Sequence, residues 1–131
     1  MLVVDPSLHG KSAANGVTVP VETLDAICRS ESLIPDLVKL DVEGYDLEAL
    51  RGASAVLDAH PWVFLEWHCA MLRQRGLDPL LALEPFATRG YCFEPFENPS
   101  LGLLDRGRTA ALQTEEIVRL LCHPPAAAAR A

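Results

Sequence analysis

The sequence predicts an α/β layer with a mostly parallel sheet and flanking helices, on three observations. Short apolar runs of strand length alternate with segments of helical period, in the order strand, helix, strand, helix, strand. The two strongest runs, at residues 36–44 and 62–68, are compact and rich in residues suited to strands covered by right-handed crossover helices. Each run ends in ionisable residues, so polar side chains collect where strands give way to loops. At 131 residues, the chain has the length of one domain or part of one.

Residues 1–16 carry Pro6, Gly10, Asn15 and Gly16 among scattered polar residues and follow neither period, which marks an irregular segment. Val17, Val19 and Val21 alternate with Thr18 and Pro20, a strand pattern whose proline suits a sheet edge. Thr23 is placed to cap a short helix ending near Ser30, with Leu24, Ile27 and Cys28 on one face. The segment DLVKLDVEG at 36–44, bounded by Pro35 and Gly44, reads as a buried parallel strand. Beyond it Leu47 and Leu50 recur at helical spacing, Asp46 and Glu48 occupy a first turn where acids are favoured, and Gly52 interrupts. Residues 53–60 add a further helical turn or two, stopped by Pro61.

The run WVFLEWH at 62–68 is the second buried strand, with Trp62 and Trp67 on opposite faces and both at or near the core. Asp78 and Pro79 open a helix toward Arg89 that Pro85 kinks or divides. Residues 90–93 form a helix stop and a third short strand, and 94–107 a Pro/Gly-rich surface loop. A helical turn begins at 114–117, a last strand covers 118–122, and 123–131 is a frayed tail.

Formal charge is −7, from 18 acids against 11 bases with no basic run. Nucleic acid and anionic membrane both need a positive footprint and are excluded as partners. No apolar stretch approaches the ~20 residues that cross a bilayer, so a soluble cytoplasmic protein is expected. The four cysteines never fall in a CxxC or CxxH spacing, which favours reduced thiols over a disulfide framework or a zinc site.

Side chains two apart on a strand share a face, so Asp41 and Glu43 point one way, as do Glu66 and His68. With the two strands adjacent, these carboxylates and the imidazole converge on one cleft. Such a set orients a hydroxyl substrate, hosts a hard cation, or raises the pKa of His68 so that it serves as a base. An acid at the end of an apolar strand is costly to bury unless it binds something, which singles out Asp41. Glu43 has the alternative of capping the helix beyond Gly44, Glu66 of accepting from loop amides, and His68 of simple exposure. Lys39 shares the face of Asp41 and reads as its neutralising partner. Tyr45 either stacks on a ligand or packs on a neighbouring helix. Gly44 joins strand to helix within one or two residues, which requires positive φ or a close backbone approach.

The segments VPVETLD at 19–25, DLVKLDVEG at 36–44 and ALRGA at 49–53, followed by a proline-led strand ending in Glu66 and His68, resemble in order and spacing the latter half of FkbM-family methyltransferases. The likeness covers residues 17–93. It implies an S-adenosylmethionine-dependent methyltransferase of Rossmann-like fold, transferring methyl to an oxygen of a sugar or similar small molecule. In such folds the segment like 36–44 is the fourth strand, beside the first strand that carries the cofactor loop. On this reading Asp41, Glu43 and His68 are catalytic, Asp41 also meets the cofactor, Glu66 and Tyr45 contact substrate, and no residue is assigned to a metal.

The family's glycine-rich cofactor loop and ribose-binding acid have no counterpart here, since Gly10 and Gly16 follow no apolar strand. The expectation is therefore a partial fold: residues 17–122 form the C-terminal part of the domain, without its N-terminal cofactor-binding half. A strand lacking its neighbour loses apolar burial at ~25 cal/mol per Å², and domains are stable by only ~5–15 kcal/mol. The chain alone is expected to be inactive and marginally stable, to self-associate, or to need a complementary polypeptide. Two other readings stand beside this one: a non-catalytic remnant or assembly lobe that binds no cofactor, and a metal-assisted hydrolase using Asp41, Glu43, Glu66 and His68.

Overall fold

Thr23, in extended conformation, accepts a hydrogen bond at Oγ1 from the Ala26 amide (3.1 Å) and starts α1, Leu24–Ser30. The computed structural model describes residues 20–97 and 115–126. After α1 come β1 (Leu37–Leu40), α2 (Asp46–Arg51), α3 (Ser54–Asp58), β2 (Trp62–Trp67) and α4 (Cys69–Gln74). A 3-10 turn at Leu81–Leu83 then runs into α5 (Glu84–Ala87), followed by β3 (Cys92–Pro95) and β4 (Val118–His123). The four strands form one sheet in the order β1-β2-β4-β3.

The α/β class holds, but the sheet is mixed. Only β1 and β2 pair in parallel; β4 inserts between β2 and β3 and runs antiparallel to both. A strand that turns back into the sheet needs no crossover helix, and that return is not written in an alternating pattern of strands and helices.

Alternation along the strands sends Val63, Leu65 and Trp67 of β2, Leu120 and Cys122 of β4, and Phe93 of β3 into one core. Leu50, Leu57, Leu72, Leu83 and Phe86 pack on them from the helical layer. Trp67 is fully buried and its indole N–H donates to the Pro79 carbonyl at 3.0 Å. Burial raises the Tyr91 phenol to about 12, and its hydroxyl donates to the Pro61 carbonyl at 2.7 Å. The opposite face of the sheet is left open among the described residues. Trp62 therefore lies outside the core, 42% exposed, with its ring against His123.

β1 is shorter and less buried than its sequence predicts. Glu43 and Gly44 both have positive φ (53° and 85°), and Tyr45 donates to the Val42 carbonyl, so a turn replaces the last part of the expected strand. With no strand on its outer edge among the described residues, β1 alternates between exposed and half-buried positions, and Leu37 is 62% exposed. The strand expected over residues 17–21 falls partly outside the described residues, and 20–22 carry no strand. The helical turn at 114–117 is not formed at 115–117, and 114 lies outside the described residues, as do 1–16, 98–107 and 127–131. The helix expected from Pro79 to Arg89 is divided, with Pro85 in the first turn of α5. All four cysteines are free thiols.

Candidate active site at the strand exits

Because β1 and β2 are parallel, their carboxyl ends open on the same side of the sheet, and the pairing of Leu40 with Leu65 sets Asp41 beside Glu66. Glu66 faces Arg119 of β4 in turn, and their side chains meet at 2.5 Å. The result is a row of charge with the two acids side by side and a base at either end. Lys39 Nζ lies 2.8 Å from Asp41 Oδ2 and holds that carboxyl below its ordinary pKa, a neighbourly neutralisation on an exposed surface. Arg119 also pairs with Glu97.

His68 is the first residue beyond β2 and the N-cap of α4. It is 3% exposed, and its Nδ1 has no hydrogen-bond partner. A ligand atom from each of Asp41, Glu66 and His68 lies within 4.8 Å of the others. Glu43 reaches the same place by a route other than strand alternation. Its left-handed backbone starts the turn, and its Oε2 stands 3.8 Å from His68 Nε2. The structure thus gathers Asp41, Glu43, Glu66 and His68.

Tyr45 is engaged elsewhere. The guanidinium of Arg75, just past the end of α4, sits 4.6 Å from its ring centre, donates to the Gly44 carbonyl, and grips Glu48 with both terminal nitrogens. Of the two roles the sequence offers Tyr45, this contact is the packing one. α4 braces the turn further through Met71: a Cβ built on Gly44 would lie 2.7 Å from Met71 Cβ. Gly44 consequently answers both needs, positive φ and close approach.

Three participants escape the sequence reading. Arg75 is the C-cap of α4, a six-residue helix with no side-chain cap at its start to announce it. Arg119 is brought in by the antiparallel return of β4. Asp46 reads as a first-turn acid, yet it is fully buried and neither carboxylate oxygen has a hydrogen-bond partner. Burial pushes its pKa upward, with its own backbone amide, the nearby His68 and the Gly44 backbone working the other way. A visible signal existed: Asp46 and Leu50 are four apart and share the buried face of α2.

On the helical side of β1 lies a cavity of about 660 Å³, lined by Leu24, Val38, Leu40 and Val63 among others. Glu43 belongs to this lining as well as to the acidic group.

Open α/β sheets bind their ligands beyond the carboxyl ends of parallel strands, which is where these ionisable residues gather. The family model for the methyltransferase FkbM domain matches residues 4–91 of this 131-residue chain, and the chain belongs to that family. It is a methyltransferase by family. No curated protein and no solved structure matches it.

Proposed function

We propose that the chain serves methyl transfer from S-adenosylmethionine to a hydroxyl oxygen of a sugar or similar small molecule, in the cytoplasm, with the strand exits as the acceptor site. One observation carries the reading: in a methyltransferase-family domain, Asp41, Glu66 and His68 stand within 4.8 Å of one another at the ends of parallel strands.

The donor set fits the reactive end of that cofactor. Asp41, Glu43 and Glu66 outnumber Lys39 and Arg119 at the rim, so the site has the sign that attracts a positively charged sulfur. Among the described residues no glycine-rich turn follows a strand, so the fit is to this end alone. When bound, the cofactor supplies an electrophilic methyl group. Asp41 would face the donor, Glu66 would orient the acceptor hydroxyl, and Glu43 or His68 would accept the hydroxyl proton as the oxygen is methylated. Glu43 also links the acids to the apolar cavity, which suits an acceptor with an apolar body beside its reacting hydroxyl.

A second reading, the assembly lobe without a cofactor, is favoured by the outer edge of β1, which pairs with no strand among the described residues. Calorimetric titration with S-adenosylmethionine separates the two. Methyl transfer predicts saturable heat that Asp41→Asn weakens about tenfold, the effect of ~1.4 kcal/mol. A folded chain that gives no heat selects the lobe.

A further inference from the structure

We propose that Asp41, Glu66 and His68 form a divalent-cation site, with Mn2+ the metal that fits its donors best. The inference rests on the methyl-transfer reading only for its use, since the site is defined by its own geometry.

Their ligand atoms lie within 4.8 Å of one another. Donors bound at ~2.1 Å to one ion lie ~3 Å apart when adjacent and ~4.2 Å when opposite, so side-chain movements of about an ångström bring the group onto a metal. Two of the donors are carboxylates in the same row of the sheet, Asp41 beside Glu66, an approach of like charges that Lys39 and Arg119 offset from either side and that a cation between them would offset directly. A separate observation comes from His68. The residue is 3% exposed and has a ring nitrogen within this group, and its Nδ1 has no hydrogen-bond partner. A buried imidazole short of partners is costly unless a ligand completes it.

The two basic neighbours define how the metal would enter. Lys39, with its side chain 60% exposed, holds Asp41 at 2.8 Å, and Arg119 holds Glu66 at 2.5 Å. Lys39 competes with the ion for Asp41 and can swing into solvent. Arg119 keeps its second partner, Glu97, when Glu66 turns to the metal. Two carboxylates and one imidazole suit an ion that accepts both oxygen and nitrogen, and they leave coordination positions open. An acceptor hydroxyl in one of those positions would be held in line for methylation and made more acidic by the ion. Glu43, outside the ligand set, would then be left as the base.

The test is a Mn2+ titration of the full chain followed by electron paramagnetic resonance of the free ion, with neither methyl donor nor acceptor present. The site predicts one Mn2+ per chain, weakened at least about tenfold in Asp41→Asn, Glu66→Gln and His68→Ala. Lys39→Met predicts the opposite sign, tighter binding, because Asp41 loses its competitor. Where a variant fails to fold, the unaltered chain suffices: bound Mn2+ must broaden the NMR signals of residues 41, 66 and 68 before those of β3. No binding by the folded chain, binding indifferent to these substitutions, or broadening elsewhere overturns the site. Since no donor is present, such a result leaves the methyl-transfer reading standing, and loss of methyl transfer with Mn2+ still bound would do the reverse.

Discussion

Asp46 places an unpartnered carboxyl in the core of the helical layer, against the turn that carries Asp41 and Glu43. Folding raises its pKa, so the folded chain holds this proton more tightly than the unfolded chain. That contribution to stability is fully present below the ordinary carboxyl value of 3.8 and is lost as pH rises toward the folded value. Asp46→Asn removes the charge and keeps the shape. It is expected to raise stability at neutral pH by about 1 kcal/mol, with the gain closing in acid; thermal melts of both proteins across pH check this. An unchanged gap at low pH would contradict it. Gly44→Ala is expected to lose at least about 2 kcal/mol, because φ is +85° and the new Cβ would meet Met71 at 2.7 Å. At this scale the charged residues were partly legible. Lys39 and Asp41, two apart, could be read as a pair and are one. The burial of His68 could not be read, because it depends on how α4 packs.

At the scale of elements, short helices are stabilised by borrowed groups. α3 begins after Ala53, which has no capping side chain, and the Asp25 carboxylate of α1 accepts from the Ala55 and Val56 amides at 3.0 Å each. Asp25→Ala should therefore cost about 1–2 kcal/mol in chemical denaturation, more than a first-turn acid acting on its own helix dipole alone. A loss of a few tenths would show that the bridge contributes little. α4 ends at Gly76 with φ of 74° and the Leu77 amide donating to the Leu72 carbonyl, a helix stop that the glycine does signal. Its start carries no such signal, and six residues are too few for a helical period to declare itself. β2 was legible along its whole length because five of its six residues, WVFLEW, are apolar in a run of strand length. β1 was overextended because Val42 continues the apolar pattern past the point where backbone conformation ends the strand.

At the scale of the whole molecule, a mixed sheet is covered by helices on one face, with its other face and the outer edge of β1 open among the described residues. Leu37 and Phe96, both 62% exposed, mark that open side. Stability must be unevenly distributed as a result. Amides of β1 are expected to exchange with solvent before those of β2, which is hydrogen-bonded on both edges; equal protection would mean that β1 gains a partner. The order of the four strands β1 to β4 was readable from apolar patterning, but α4 was not. The antiparallel return of β4 was not, since the direction of a strand leaves no mark on its own residues. Among the described residues no helix is long and apolar enough to cross a membrane.

The claim on which these scales meet is that the exits of β1 and β2 are where a methyl donor and its acceptor come together. Mapping S-adenosylmethionine onto the chain by amide NMR tests it most directly. The predicted result is a saturable shift of the amides at 41–46 and 67–70, with β3 unmoved. Saturable shifts confined to β3 or to the open face of the sheet would contradict it.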